Sequence, residues 1–130
     1  MSSFEFHGWA TIRESYNEEG ECEARLKQAM AAISSFVDDK LYFPAKVLAT
    51  NYQYHLMMSG NANHYREEPL QLFNIIRDLA PGSYGLLHIH DEEDRDGWDN
   101  HFQVWVLKKG SLERCRDTLL SPYTPEVEEL

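Results

Sequence analysis

Residues 80–112 read APGSYGLLHIHDEEDRDGWDNHFQVWVLKKGSL, and this stretch decides the fold. It contains two apolar runs, 84–90 and 102–107, rich in the β-branched and aromatic residues that fit a pleated, half-buried surface. Between them, Asp91, Glu92, Glu93, Asp94, Asp96 and Asp99 surround one Trp and one Arg. The pattern predicts two core strands joined by an acidic, exposed loop. The strands are scaffold, and the loop is where function is expected.

Working outward from this pair, residues 4–15, FEFHGWATIRES, alternate with period two. Phe4, Phe6, Trp9 or Ala10, and Ile12 point one way, which predicts a first strand with a bulge at Gly8. From Cys22 the spacing becomes three and four: Cys22, Leu26, Met30, Ile33 and Val37, with Ala29 beside them. This is the stripe of an amphipathic helix, expected over 18–37. Glu18, Glu19, Glu21 and Glu23 lie near its start, where the helix dipole favours negative charge. Tyr42 and Phe43 are expected to pack from the link that follows. Residues 46–50 and 52–59 form a strand pair turning near Asn51 and closing at Gly60-Asn61. Pro69 is tolerated in a first helical turn, and Leu70, Phe73, Ile75, Ile76 and Leu79 give a second helix its apolar face. Pro81 and Gly82 end that helix at Ala80.

After the central strand pair, residues 108–110 make a tight turn, 111–116 add a short edge strand, and 121–130 form a loose acidic tail. The fold class is α+β: one layer of antiparallel or mixed sheet, with two helices packed against one face, in the order β-α-β-β-α-β-β. One domain spans residues 1–130. That length suffices to bury roughly two-thirds of the surface that the unfolded chain exposes.

A hydrophobic fraction of 42% and a charged fraction of 26% exclude wholesale disorder. No apolar run approaches the roughly 20 residues that span a bilayer, and residues 1–13 lack the basic start and apolar core of a secretion signal. A cytoplasmic location is therefore expected. With 12 basic and 22 acidic residues the net charge is −10, which argues against binding nucleic acid through its phosphates and favours a basic protein partner. Cys22 and Cys115 are the only cysteines and have no metal-ligand spacing, so both are expected to be buried, reduced thiols.

His88 and His90 share one face of a strand, and His101 can approach them from the partner strand. Gly82, five residues, His-Ile-His, then Glu93 or Asp94 and Gly97 imitate part of the first cupin motif, but no second histidine motif follows and two helices interrupt the chain. A small metal-binding module or metal-dependent enzyme using His88, His90 and His101 is thus the alternative, and solvent-facing or hydrogen-bonded histidines beside a turn are the leading reading. Glu92, Asp94, Asp96 and Gly97 resemble half an EF-hand, yet the twelfth position is Gln103 rather than the bidentate Glu that calcium requires. No nucleophile elbow and no phosphate-cradling glycine motif occurs, so neither an enzyme nor a cofactor is expected. Trp105 is expected in the core, and Trp9 in the core or at a strand end. Trp98, in the charged loop, is either an interface anchor with an electrostatic rim or a side chain folded back on the hairpin.

Four segments carry a family resemblance: HGW-x-TIRES at 7–15, PGSYGLL at 81–87, the acidic turn DEED at 91–94, and FQVWVL at 102–107, with LSPY near the end. Together they resemble the seventh immunity-protein family of bacterial polymorphic toxin and contact-dependent inhibition systems. The resemblance implies a small cytoplasmic α+β protein that binds and neutralises a cognate toxin C-terminal domain. Toxins that attack nucleic acids are basic around their substrate channel, which suits an acidic inhibitor. Glu92, Glu93, Asp94, Asp96, Trp98 and Asp99 are the expected contact patch.

Overall fold

The computed structural model describes residues 4–20, 22–40 and 45–129. Its elements are β1 (Phe4–Ile12), α1 (Glu23–Lys40), β2 (Ala45–Thr50), β3 (Gln53–Ala62), α2 (Glu68–Leu79), β4 (Tyr84–Asp91), β5 (Gln103–Lys108), β6 (Ser111–Arg116) and a last helical turn, α3 (Tyr123–Glu126). The six strands form one open sheet in the order β2-β3-β1-β4-β5-β6, and every neighbouring pair is antiparallel. The α+β class is observed, and the predicted element order β-α-β-β-α-β-β is followed and then extended by β6 and α3, with the sheet antiparallel throughout.

Two hairpins explain their own turns. Asn51 and Tyr52 both have positive φ, as do Lys109 and Gly110, which gives each two-residue connection the twist that matches flanking strands. β3 does not stop at Gly60-Asn61 but continues to Ala62, because it pairs along the whole of β1.

Side-chain alternation places Phe4, Phe6, Ala10 and Ile12 of β1, Leu56 and Met58 of β3, and Leu87 and Ile89 of β4 on one face. Both helices pack there. Ala29 and Ile33 of α1 and Leu72, Phe73 and Ile76 of α2 complete one buried cluster, and Leu26, Met30, Phe36 and Val37 pack at its edge. Each large side chain fully buried here contributes about 1.5–3 kcal/mol by removal from water. Leu79, expected on the apolar face of α2, is instead exposed, and Leu72 takes the inward position.

Helix α1 begins at Glu23 rather than at 18, after a separate 3₁₀ turn at Glu18–Gly20. The buried Glu14 carboxylate at the exit of β1 accepts the Cys22 N–H and a 3.0 Å bond from Arg25 Nε. Arg25 Nη2 also donates to the Gly20 carbonyl at 2.8 Å. These bonds fix the chain in a turn where a continuous helix was expected. The predicted packing residues Tyr42 and Phe43 lie outside the described residues.

β1 runs without a bulge, because its register to β3 and β4 is unbroken through Gly8. Ala10 therefore takes the inward position, and Trp9 points to the opposite face, 42% exposed. The expectation of a core Trp9 is corrected by this register. Cys115 is exposed and Cys22 only partly buried, so neither is the core thiol expected of it. Trp105 packs against the core as predicted.

Candidate functional site

The loop between β4 and β5 is braced by its own carboxylates. Asp91, buried at the end of β4, accepts the Glu93 N–H at 3.1 Å. Asp94 Oδ2 accepts the N–H groups of Asp96 at 2.8 Å and Trp98 at 2.9 Å. Glu93 meets His64 Nδ1 at 2.8 Å across the surface. Glu92, Asp96 and Asp99 are exposed. The predicted contact residues thus divide: Asp94 stabilises the loop, whereas Glu92, Asp96 and Asp99 present charge to solvent.

Burial pushes the Asp91 carboxyl above its ordinary value of 3.8, with the neighbouring Asp94 and Glu93 charges adding to the rise and the Glu93 N–H opposing it. A carboxyl raised in the folded state favours folding most at low pH, and this contribution is lost as pH rises through the folded value. Asp91→Asn keeps the Oδ1 acceptor and removes the buried charge. This variant should therefore melt above the wild type at pH 7, with the gap closing as pH falls through the raised folded value and gone below 3.8. Thermal melts across that range check it, and a lower melting temperature for the variant at pH 7 would refute it.

Trp98 folds back on the hairpin. Its ring lies 4.5 Å from the Arg114 guanidinium and 4.6 Å from that of Arg116, and Arg114 also reaches Trp105 at 5.6 Å. Cation–π contacts of this kind contribute about 0.5–1 kcal/mol each at exposed sites. Trp98 is thus a clamped platform at the edge of the loop, and the two arginines come from β6.

The segment after β6 also closes on this loop. Asn100 is the clasp: its carbonyl accepts the Tyr123 N–H at 2.7 Å, its Oδ1 accepts the Thr124 N–H at 2.8 Å, and its Nδ2 donates to the Thr124 carbonyl at 3.0 Å. Ser121 Oγ accepts the Phe102 N–H at 2.9 Å and donates to Asp117 Oδ2 at 2.8 Å. Burial alone would raise Asp117, but the N–H groups of Leu119 and Leu120, the Ser121 hydroxyl and nearby His88 together hold it below its ordinary value. Residues 121–124 are therefore tied down where a loose tail was expected, and residues 125–129 are exposed. The LSPY motif owes its place to this docking.

Tyr123 stacks on His90 with ring centres 4.3 Å apart. Burial raises its phenol, and the carboxylates of Glu5, Glu128 and Glu92 push it further. Those acids come from β1, the tail and the loop, so three separate segments concentrate negative charge at one end of the sheet. Sequence reasoning missed Asn100, because local pattern carries no sign of bonds formed across 24 residues; Asp117 caps Leu119, Leu120 and Ser121 nearby in the chain, a turn signal that the short segment after β6 did carry.

The histidines do not assemble as a metal site. His90 is buried, and its Nε2–H donates to the Asp99 carbonyl at 2.8 Å. His88 lies half-buried on the sheet face away from the helices, its basicity lowered by burial and by His7, with Asp117 pulling the other way. His101 precedes β5, and its N–H bonds the Trp98 carbonyl at 3.1 Å. Among the described residues no group of three or more His, Cys, Asp or Glu is placed to hold a metal ion. No helix among them is long and apolar enough to cross a membrane.

A family model described as Immunity protein 7 matches residues 3–129. No match is found among curated proteins or among solved structures.

Proposed function

The chain belongs to the immunity protein 7 family, and from that premise we infer that it binds a cognate toxin domain in the cytoplasm and neutralises it by forming a stoichiometric complex. The observation that carries this reading is the family match across nearly the whole chain. It acts as an inhibitor rather than an enzyme. The toxin is the C-terminal domain of a polymorphic, contact-dependent system, and its surface is basic.

The acidic end of the sheet supports the second half of this reading. Glu92, Asp96 and Asp99 stand exposed on the loop, and Glu92 joins Glu5 and Glu128 around Tyr123, on a chain of net charge −10. Such a field raises the encounter rate with a basic partner and opposes wrong ones. A nuclease is the toxin class that fits, because a domain that grips phosphates must carry a basic channel. Glu93, Asp94 and Trp98 complete the contact patch as its braced floor, held by His64, by backbone N–H groups and by the β6 arginines.

The test is protection. Cells expressing the toxin domain encoded by the neighbouring reading frame should survive only when this chain is co-expressed, and the purified pair should elute as an equimolar complex. Failure of the pair to associate would refute the reading. An association rate that barely changes with salt would refute its electrostatic half.

A further inference from the structure

An antiparallel sheet with helices on one face ordinarily turns polar residues to solvent on the other. Here the second face is mixed: Glu5, His7, Lys46, His55 and Ser59 follow that rule, but four large apolar side chains stand among them. Trp9 is 42% exposed, Met57 54%, Leu48 41% and Tyr84 43%, and register places all four on the face away from α1 and α2. Trp9 pairs directly with Met57 on β3 and with Leu86 on β4. With them His7, Lys46, Ser59 and His88 line a shallow groove of about 450 Å³. The Trp9 and Tyr84 rings meet edge to face with centres 6.2 Å apart, and Trp9, Met57 and Leu48 share one groove, so these side chains form a group rather than scattered singles.

We propose that this face, centred on Trp9, is the surface that seals the basic toxin domain, with the groove receiving an apolar side chain of that partner. The proposal rests on the immunity reading and deepens it. Two features select the occupant. The face is continuous with the acidic end: Glu5 stands on the same side of β1 as Trp9, about 13 Å along the strand at the usual rise, and Tyr123 with its surrounding carboxylates lies against His90 on that side. A partner drawn in by its basic charge is thus delivered to the groove. A second copy of this chain brings another −10, so self-association through this face works against like-charge repulsion. An apolar centre with a charged border is also how binding energy is commonly distributed, the centre holding the complex and the border governing encounter.

The experiment uses the full chain and a non-toxic variant of the toxin domain encoded by the neighbouring reading frame, with rates measured by surface plasmon resonance. Met57→Ser and Trp9→Ser truncate half-exposed side chains without changing charge, and matched melting temperatures check that both variants fold. Each should speed dissociation by about tenfold while leaving the association rate within about twofold, consistent with truncating a central contact. Dissociation unchanged in both variants, with wild-type binding intact, overturns the placement of the interface and leaves the immunity reading standing. Concentration-dependent self-association that these variants abolish, without effect on toxin binding, overturns it in favour of a second copy. No binding by the wild-type chain overturns the immunity reading and this proposal together.

Discussion

Replacing Gly85 by alanine should destabilise the protein by about 3 kcal/mol or more, lowering its melting temperature on the order of 10 °C. A Cβ at this position would sit 2.0 Å from the Trp9 carbonyl oxygen and 2.7 Å from the Ala10 Cα. Both atoms are backbone, so no side chain can swing aside. The only relief is separation of β4 from β1 at the centre of the sheet, where Gly85 pairs Ala10 and where the ladder between Phe4–Asp91 and Thr11–Tyr84 is built. Gly97→Ala supplies the contrast. Gly97 has φ of +93°, and a Cβ there would meet nothing within 4 Å, so only backbone strain opposes the change. That strain costs about 1 kcal/mol. Thermal or urea melts of the two variants should therefore differ by at least about twofold in effect, and equal losses would show that β1 and β4 can part without penalty.

The close approach of β1 and β4 also explains which family-like residues were legible and what they do. PGSYGLL and TIRES look like separate signatures in the sequence, yet they are one contact. Ser83 Oγ accepts the Arg13 N–H at 3.0 Å and donates back to the Arg13 carbonyl at 3.3 Å. A Cβ on Gly82 would collide with the Ser15 carbonyl at 2.1 Å. Glu14 anchors α1 through Arg25. The motifs are thus the joint between β1, α1 and β4, and carry packing rather than chemistry.

Period-two and helical spacing made the strands, the two helices and the hairpins readable, because those signals are local. Trp9 was not readable for a physical reason. Gly8 leaves a gap in the inward row, so Phe4 and Phe6 can be continued by either Trp9 or Ala10 until β3 and β4 supply a register. The exposed apolar face follows from that single choice. The acidic loop was readable as a charged element, but its six carboxylates look alike in sequence. Only the folded backbone separates Asp91 and Asp94, which cap N–H groups, from Glu92, Asp96 and Asp99. Trp98 finds Arg114 and Arg116 only after β6 has paired with β5, and Asn100 finds the tail later still in the chain.

Reversing Glu92, Asp96 and Asp99 together to lysine should slow association with the toxin domain by roughly tenfold to a hundredfold at low salt. Dissociation should change far less, because exposed border charges act mainly on encounter. The effect should fade as ionic strength rises toward about 1 M, where the screening length falls to roughly 3 Å. A control separates local field from total charge. Glu19, Glu23 and Asp78 are exposed at the opposite end of the sheet, near the exit of β1 and the end of α2, and reversing them changes the net charge equally. If steering is directed at the loop, this second triple variant should keep most of its association rate. Equal slowing by both would mean that the overall negative charge of the chain draws the toxin in, and that the position of the acidic loop contributes nothing to where it lands. A slowing confined to the loop variant, together with faster dissociation on loss of Trp9 or Met57, would divide the complex into an acidic approach and an apolar seat on adjoining parts of one sheet.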